Sequence, residues 1–167
     1  MISWDDPRIV NNLRGVDARI VERLRLMKPS QLRRFACDAA ELALARSGLT
    51  DQMVTAALEI ARLMGTAMEP PAASLASLRL EVERIFNRLD LAGFQTLEAH
   101  EAGSGPSYED YLAATHKACA AEAVLYGLRE DPRLAAVTAL SVAEWSTPPR
   151  VEVEDFLRAA GEALLVD

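Results

Sequence analysis

The residues of this chain best suited to bond-making are two cysteines and two histidines. In FACDAAELALA, residues 35–45, Cys37 precedes Glu41 by four positions, so on a helix the thiol and the carboxylate share a face. His116 and Cys119 stand three apart and share a face in the same way. Imidazole with two thiolates is a zinc set, so Cys37, His116 and Cys119 define one chemical reading, a small metal- or thiol-dependent enzyme. The spacing around them points elsewhere. Neither CxxC nor HExxH occurs, and a di-iron carboxylate bundle would need glutamate three residues before each histidine, where the chain has Leu97 and Ala113. No GxxxxGK[ST] occurs and no GxGxxG opens a helix, so no phosphate cradle is evident. The expectation is a non-catalytic protein with no cofactor and no metal.

The elements that must position these groups all read as helices. Asp6 before Pro7 is an N-cap followed by proline in the first turn, and Gly15 closes that short helix. A second helix is predicted over about Asp17–Met27, ended by Pro29. Ser30 caps a third, over about Gln31–Ser47, with Gly48 just past it. Thr50 caps a fourth, to about Met68, stopped by Pro70 and Pro71. In the fifth, Leu75, Leu78, Val82, Ile85 and Leu89 alternate spacings of three and four, and Gly93 marks the expected end. LEAHEAGSGP, residues 97–106, reads as a loop. Ser107 and Asp110 resemble a capping box for a sixth helix, to about Arg129. Asp131 and Pro132 begin a seventh, to about Trp145, and the last spans about Val153–Leu165. VEVE at 151–154 alternates but has no partner strand.

The expected fold is therefore all-α: a single-domain bundle of about seven to eight helices over residues 1–167, with sub-halves 1–93 and 107–167 joined by a Gly/Pro loop. Twenty-nine alanines and only 5% aromatic residues imply an interior of small side chains and close helix contacts. Two antiparallel helical hairpins form its frame. Cys37 is followed by a turn and VTAALEIA, Cys119 by a turn and VTALSVA, and the cysteines lie 82 positions apart and the valines 83. A cysteine at matching places in two hairpins suits packing better than catalysis. On this reading Gly127 and Gly161 mark close backbone approach, and Glu41 and Glu122 reach solvent or pair with Arg33 or Arg34.

Two cysteines far apart make no secreted disulfide framework, and neither a signal-peptide core nor an 18-residue apolar run is present, so a cytoplasmic protein without membrane contact is expected. The net charge is −7, and residues 101–167, with 12 acidic and 5 basic groups, carry all of it. Residues 7–34 hold 8 basic and 2 acidic groups. Either the basic N-terminal part packs on the acidic C-terminal part, or the acidic surface steers a basic partner. The acidic balance argues against nucleic acid as main ligand. For partner contact the strongest segment is EWSTPPRVEVED: Trp145 as an aromatic anchor beside Glu144, with Glu152, Glu154 and Asp155 around it. The small-residue run AAGEALL in the last helix also allows a homodimer.

CDAAELAL at 37–44 followed by ALEIAR at 57–62 resembles a family of all-α immunity proteins from bacterial polymorphic-toxin systems. In that family a helix with an alanine-rich Cys-Ala-Glu motif precedes one ending in an Ala-Ile-Glu-Ala-Ala-Arg-like run. Here Asp38, Ala39 and Ala40 separate Cys37 from Glu41. The resemblance implies a protein that binds and neutralises a toxin, with an acidic surface suited to a basic one, and carries over no functional residue. A helical adaptor or effector-associated domain in bacterial signalling or defence is the alternative interaction protein.

Overall fold

The computed structural model describes residues 1–145 and 153–165. Among the described residues there are eight helices and no strand, so the all-α expectation holds. They are α1 (Pro7–Asn12), α2 (Ala18–Leu26), α3 (Pro29–Ser47), α4 (Gln52–Leu63), α5 (Ala72–Glu101), α6 (Tyr108–Gly127), α7 (Pro132–Trp145) and α8 (Val153–Leu165).

Several boundaries sit where side-chain chemistry puts them. Asp6 accepts from the Arg8 amide at 2.9 Å, and Asp131 accepts from the Arg133 and Leu134 amides at 3.0 and 3.1 Å, so both Asp-Pro pairs start helices. Ser107 and Asp110 form the reciprocal capping box of α6. Asp131 also accepts from the Ile2 amide at 2.6 Å, which ties the N-terminal segment to the start of α7.

Other boundaries differ from expectation. Pro29 both ends α2's segment and opens α3, because its fixed φ suits a first helical turn; the Gln31 side chain accepts from the Lys28 amide at 2.8 Å, and Ser30 is not the cap. Asp51, not Thr50, caps α4. That helix stops at Leu63, before the expected Met68, because Gly65 takes the left-handed φ of 78° and its amide donates to Glu69 at 2.7 Å. The largest departure is α5. It runs through Gly93 to Glu101 and absorbs half of the expected 97–106 loop, so a division at residue 93 would cut a continuous helix. Chain reversal falls instead at Gly103 and Gly105, both with positive φ.

The centre of the molecule is a triangle of α3, α6 and α7, each packed on the other two. Alanines make these contacts: Ala36, Ala39, Ala40 and Ala43 on α3, Ala118, Ala120, Ala121 and Ala123 on α6, and Ala135, Ala136, Ala139 and Ala143 on α7 are all buried. Larger groups such as Phe35, Val124, Val137, Leu140 and Phe156 fill the space around them. The hairpins α3–α4 and α6–α7 are both present, with Val54, Leu58 and Ala61 buried in one and Val137, Leu140 and Ala143 in the other.

The basic N-terminal stretch does pack on the acidic end. Helix α8 lies on α2 and α3, where Arg19 approaches Glu154 at 3.4 Å, Arg46 pairs with Asp155, and Arg23 donates to the Leu157 carbonyl at 3.1 Å. At Gly161 a Cβ would fall 2.8 Å from the Arg23 guanidinium, the far end of a flexible side chain, so the closeness there is to a side chain and not to backbone. At Gly127 the closeness is milder, 3.8 Å to the Ala61 Cβ.

Candidate functional site

Cys37 lies on α3 with no exposed surface, and burial pushes its thiol up to about 12, more than Arg62 and Arg33 draw it down. Cys119 is half-buried on α6, and burial with the nearby Glu122 and Asp90 carboxylates pushes it up to about 11. Both sulfurs are therefore protonated at neutral pH, the unreactive form. Their charged neighbours differ: Cys37 faces Arg62, Asp38, Arg33 and Glu41, whereas Cys119 faces Glu122 and Asp90. Desolvation lowers the pKa of His116. Among the described residues no three His, Cys, Asp or Glu side chains are disposed to hold a metal ion, so the Cys37, His116, Cys119 set is not assembled.

Above Cys37 opens a cleft of about 1040 Å³ between the start of α3, the end of α4 and the α6–α7 turn. Its cationic lining is Lys28, Arg33, Arg34 and Arg62, its anionic lining Asp38, Glu41, Glu130 and Glu162. The arginines are already engaged. Arg62 bridges Glu41 and Glu59, both at 2.7 Å, and Arg34 lies 3.7 Å from Asp38. Arg33 is buried and donates to the carbonyls of Gly127 at 3.2 Å, Glu130 at 2.8 Å and Arg129, closing the C-terminal end of α6. Arg79 from α5 adds a second cap on the Leu128 carbonyl. The carboxylate beside Cys37 thus pairs with Arg62, and neither Arg33 nor Arg34 takes the role expected of it. Glu122 accepts from the Tyr126 hydroxyl at 2.7 Å. The arginines of the cleft are all engaged, and the thiol beneath them is protonated.

The segment expected to contact a partner is only partly described. Trp145, at the end of α7, is 74% exposed and so does not plug the core. Glu144 is half-buried, and burial raises its pKa. Glu154 is exposed beside Arg19, and Asp155 is held between Arg46 and Arg158, the latter at 3.2 Å. Glu152 lies outside the described residues. Trp145 is left open to solvent, while Glu154 and Asp155 are engaged by Arg19 of α2, Arg46 of α3 and Arg158 of α8.

A second exposed surface escaped the sequence reading. Between Glu83 and Lys117 only Gly93 is buried, its open α-carbon set against Thr115 and Ala114 of α6. The apolar residues packed on the core extend along α5 only as far as Leu89. Beyond that point α5 and α6 continue as a two-helix arm, about 18 Å long at 1.5 Å per residue. Leu91 and Phe94 are each 58% exposed on it, and Tyr108 is exposed at its tip, 5.4 Å from Tyr111 between ring centres and 6.2 Å from His100. The spacing of Leu91, Phe94 and Glu98 was a readable signal, hidden by the expectation that the helix ends at Gly93.

No described helix is long and apolar enough to cross a membrane. The chain matches no protein-family model, and comparison with curated proteins and with solved structures gives no match.

Proposed function

We propose that this protein is a non-catalytic helical interaction module, in its sharpest form an immunity protein that binds and neutralises a toxin. The observation that carries this reading is the exposure of Trp145, a large aromatic side chain left in solvent by a chain with few aromatics to spend. Aromatic anchors of this kind supply much of the binding energy at protein interfaces. The buried thiol of Cys37 is protonated and lies beside the Glu41–Arg62 ion pair, an environment suited to packing. The likeness of CDAAELAL and ALEIAR to immunity proteins, and the acidic balance of the chain, favour a basic protein as the thing bound.

Co-expression with a toxic protein encoded beside it tests the reading directly. A stable complex and restored growth are expected, and Trp145→Ala is expected to weaken both. Recovery of a larger sensor protein in place of a toxin would support the adaptor version. Stoichiometric zinc or iron in the purified protein would favour the enzyme reading and overturn this one. Rapid labelling of Cys37 in the native protein by a bulky thiol reagent would also count against it, since a sealed, protonated thiol reacts slowly.

A further inference from the structure

We propose that the outer half of the α5–α6 hairpin is a docking arm for a basic amphipathic helix of another protein, laid along Leu91 and Phe94 and facing Glu98 and Glu101. This rests on reading the chain as an interaction module, and it names the surface and the chemistry of the partner.

The first support is an incomplete layer. Two helices alone bury little more than the line between them, and in the arm even the inward residues Leu97, Tyr111 and Leu112 stay half-buried. With a single neighbouring helix, α5 keeps its far side open along the arm, where a partner helix can be received on its apolar face. The second is the outward face of α5. Leu91, Phe94, Glu98 and Glu101 follow spacings of three, four and three, so two exposed apolar groups are continued by two carboxylates on one side of the helix.

Charge selects the occupant. Residues 90–117 hold five carboxylates against one lysine. Among the described residues no cation lies within ion-pairing distance of Glu98, Glu101 or Glu109, in contrast to Asp155 on α8, which two arginines hold. A second copy of the chain would bring the same carboxylates against these, a like-charge juxtaposition that disfavours self-pairing. A partner helix with lysine or arginine beside its apolar stripe meets both features at once.

A synthetic helix of about 18 residues, with leucine on one face and lysine on the other, is the probe, compared with a scrambled peptide of identical composition. The full chain is titrated against each by fluorescence anisotropy at about 50 and about 300 mM salt. The Leu/Lys helix is expected to bind at least about tenfold more tightly than its scrambled counterpart, and to weaken severalfold at the higher salt. Leu91→Ser with Phe94→Ser, and separately Glu98→Lys with Glu101→Lys, should each lower affinity about tenfold, while Leu26→Ala, an exposed apolar change on α2, leaves it unchanged. All four arm side chains are exposed, so an unchanged thermal midpoint certifies the fold of each variant. Equal binding by the Leu91→Ser/Phe94→Ser protein, or equal binding of the scrambled peptide, overturns the proposal. So does a wild-type dimer in sedimentation that the same double variant dissolves, since the occupant would then be a second copy. Retention of a co-encoded protein partner by that variant would overturn the arm alone, whereas wild-type protein that binds no protein partner would overturn the interaction reading itself.

Discussion

The central triangle and the outer arm are made from similar helices, and one helix, α6, belongs to both. Its second half, from Ala118 to Gly127, holds every residue that α6 buries; its first half, from Tyr108 to Lys117, holds none. The difference lies in the number of neighbours. In the centre α6 meets α3 and α7 as well as α5, and alanine lets the three axes close without voids. In the arm it meets α5 at a contact centred on Gly93. Alanine-rich sequence therefore supports tight burial only where a third helix is present, and the same composition with Leu91, Phe94 and Tyr108 added becomes an open surface where it is not.

The sharpest way to break this contrast is at the point where the centre is locked to the α6–α7 turn. Arg33→Ala removes the donors that satisfy the carbonyls of Gly127, Arg129 and Glu130, and is expected to cost about 3 kcal/mol in urea denaturation. Arg33→Lys should recover only part of this, because one ammonium cannot fan out over three carbonyls. Next in size is overpacking. Ala139→Leu forces extra carbons between α7 and α3 and should destabilise by about 2 kcal/mol, whereas Ala92→Leu on the exposed face of the arm should change stability by less than about 0.5 kcal/mol. A comparable loss at Ala92 would mean that the arm is as tightly enclosed as the centre.

How far the sequence reveals this layout depends on the range of the interactions involved. Caps act over three residues, so Asp6–Pro7, Ser107 with Asp110, and Asp131–Pro132 placed three helix starts correctly. The continuation of α5 past Gly93 could not be read locally. A glycine inside a helix costs about 1 kcal/mol, and the α6 residues it lies against, Thr115 and Ala114, are more than 20 positions away in the chain. Because the helix was expected to stop there, the face carrying Leu91, Phe94 and Glu98 went unrecognised. The pairing of Glu41 with Arg62, across the α3–α4 turn, was hidden for the same reason. The exposure of Trp145 and the engagement of Asp155 by Arg46 are both tertiary facts, the second joining helices more than 100 residues apart in the chain.

Gly93 itself sharpens the comparison at a smaller scale. A Cβ there would meet Thr115 Oγ1 at 3.5 Å and the Ala114 Cβ at 3.8 Å, ordinary contact distances, and the backbone is helical. Gly93→Ala should therefore stabilise the protein by about 0.5 kcal/mol through helix propensity, visible as a raised urea midpoint. Loss of stability would show that the arm's helices touch more closely at this point than their neighbours elsewhere allow.

The smallest effect concerns protons. His116 lies on α6 within the arm, where burial lowers its pKa below the usual 6.5 by disfavouring the imidazolium. The unfolded chain then binds a proton more readily than the folded one. The contribution of a neutral His116 is fully present above pH 6.5 and is lost as pH falls below that value toward the folded-state pKa. His116→Gln should flatten this part of the stability profile between about pH 7.5 and pH 5.5, leaving the slopes set by other groups. The ring is only half-buried, so the change is modest and is best followed by its own proton resonances. An imidazole whose titration is not displaced below the ordinary value would show that the arm leaves this side chain open to water.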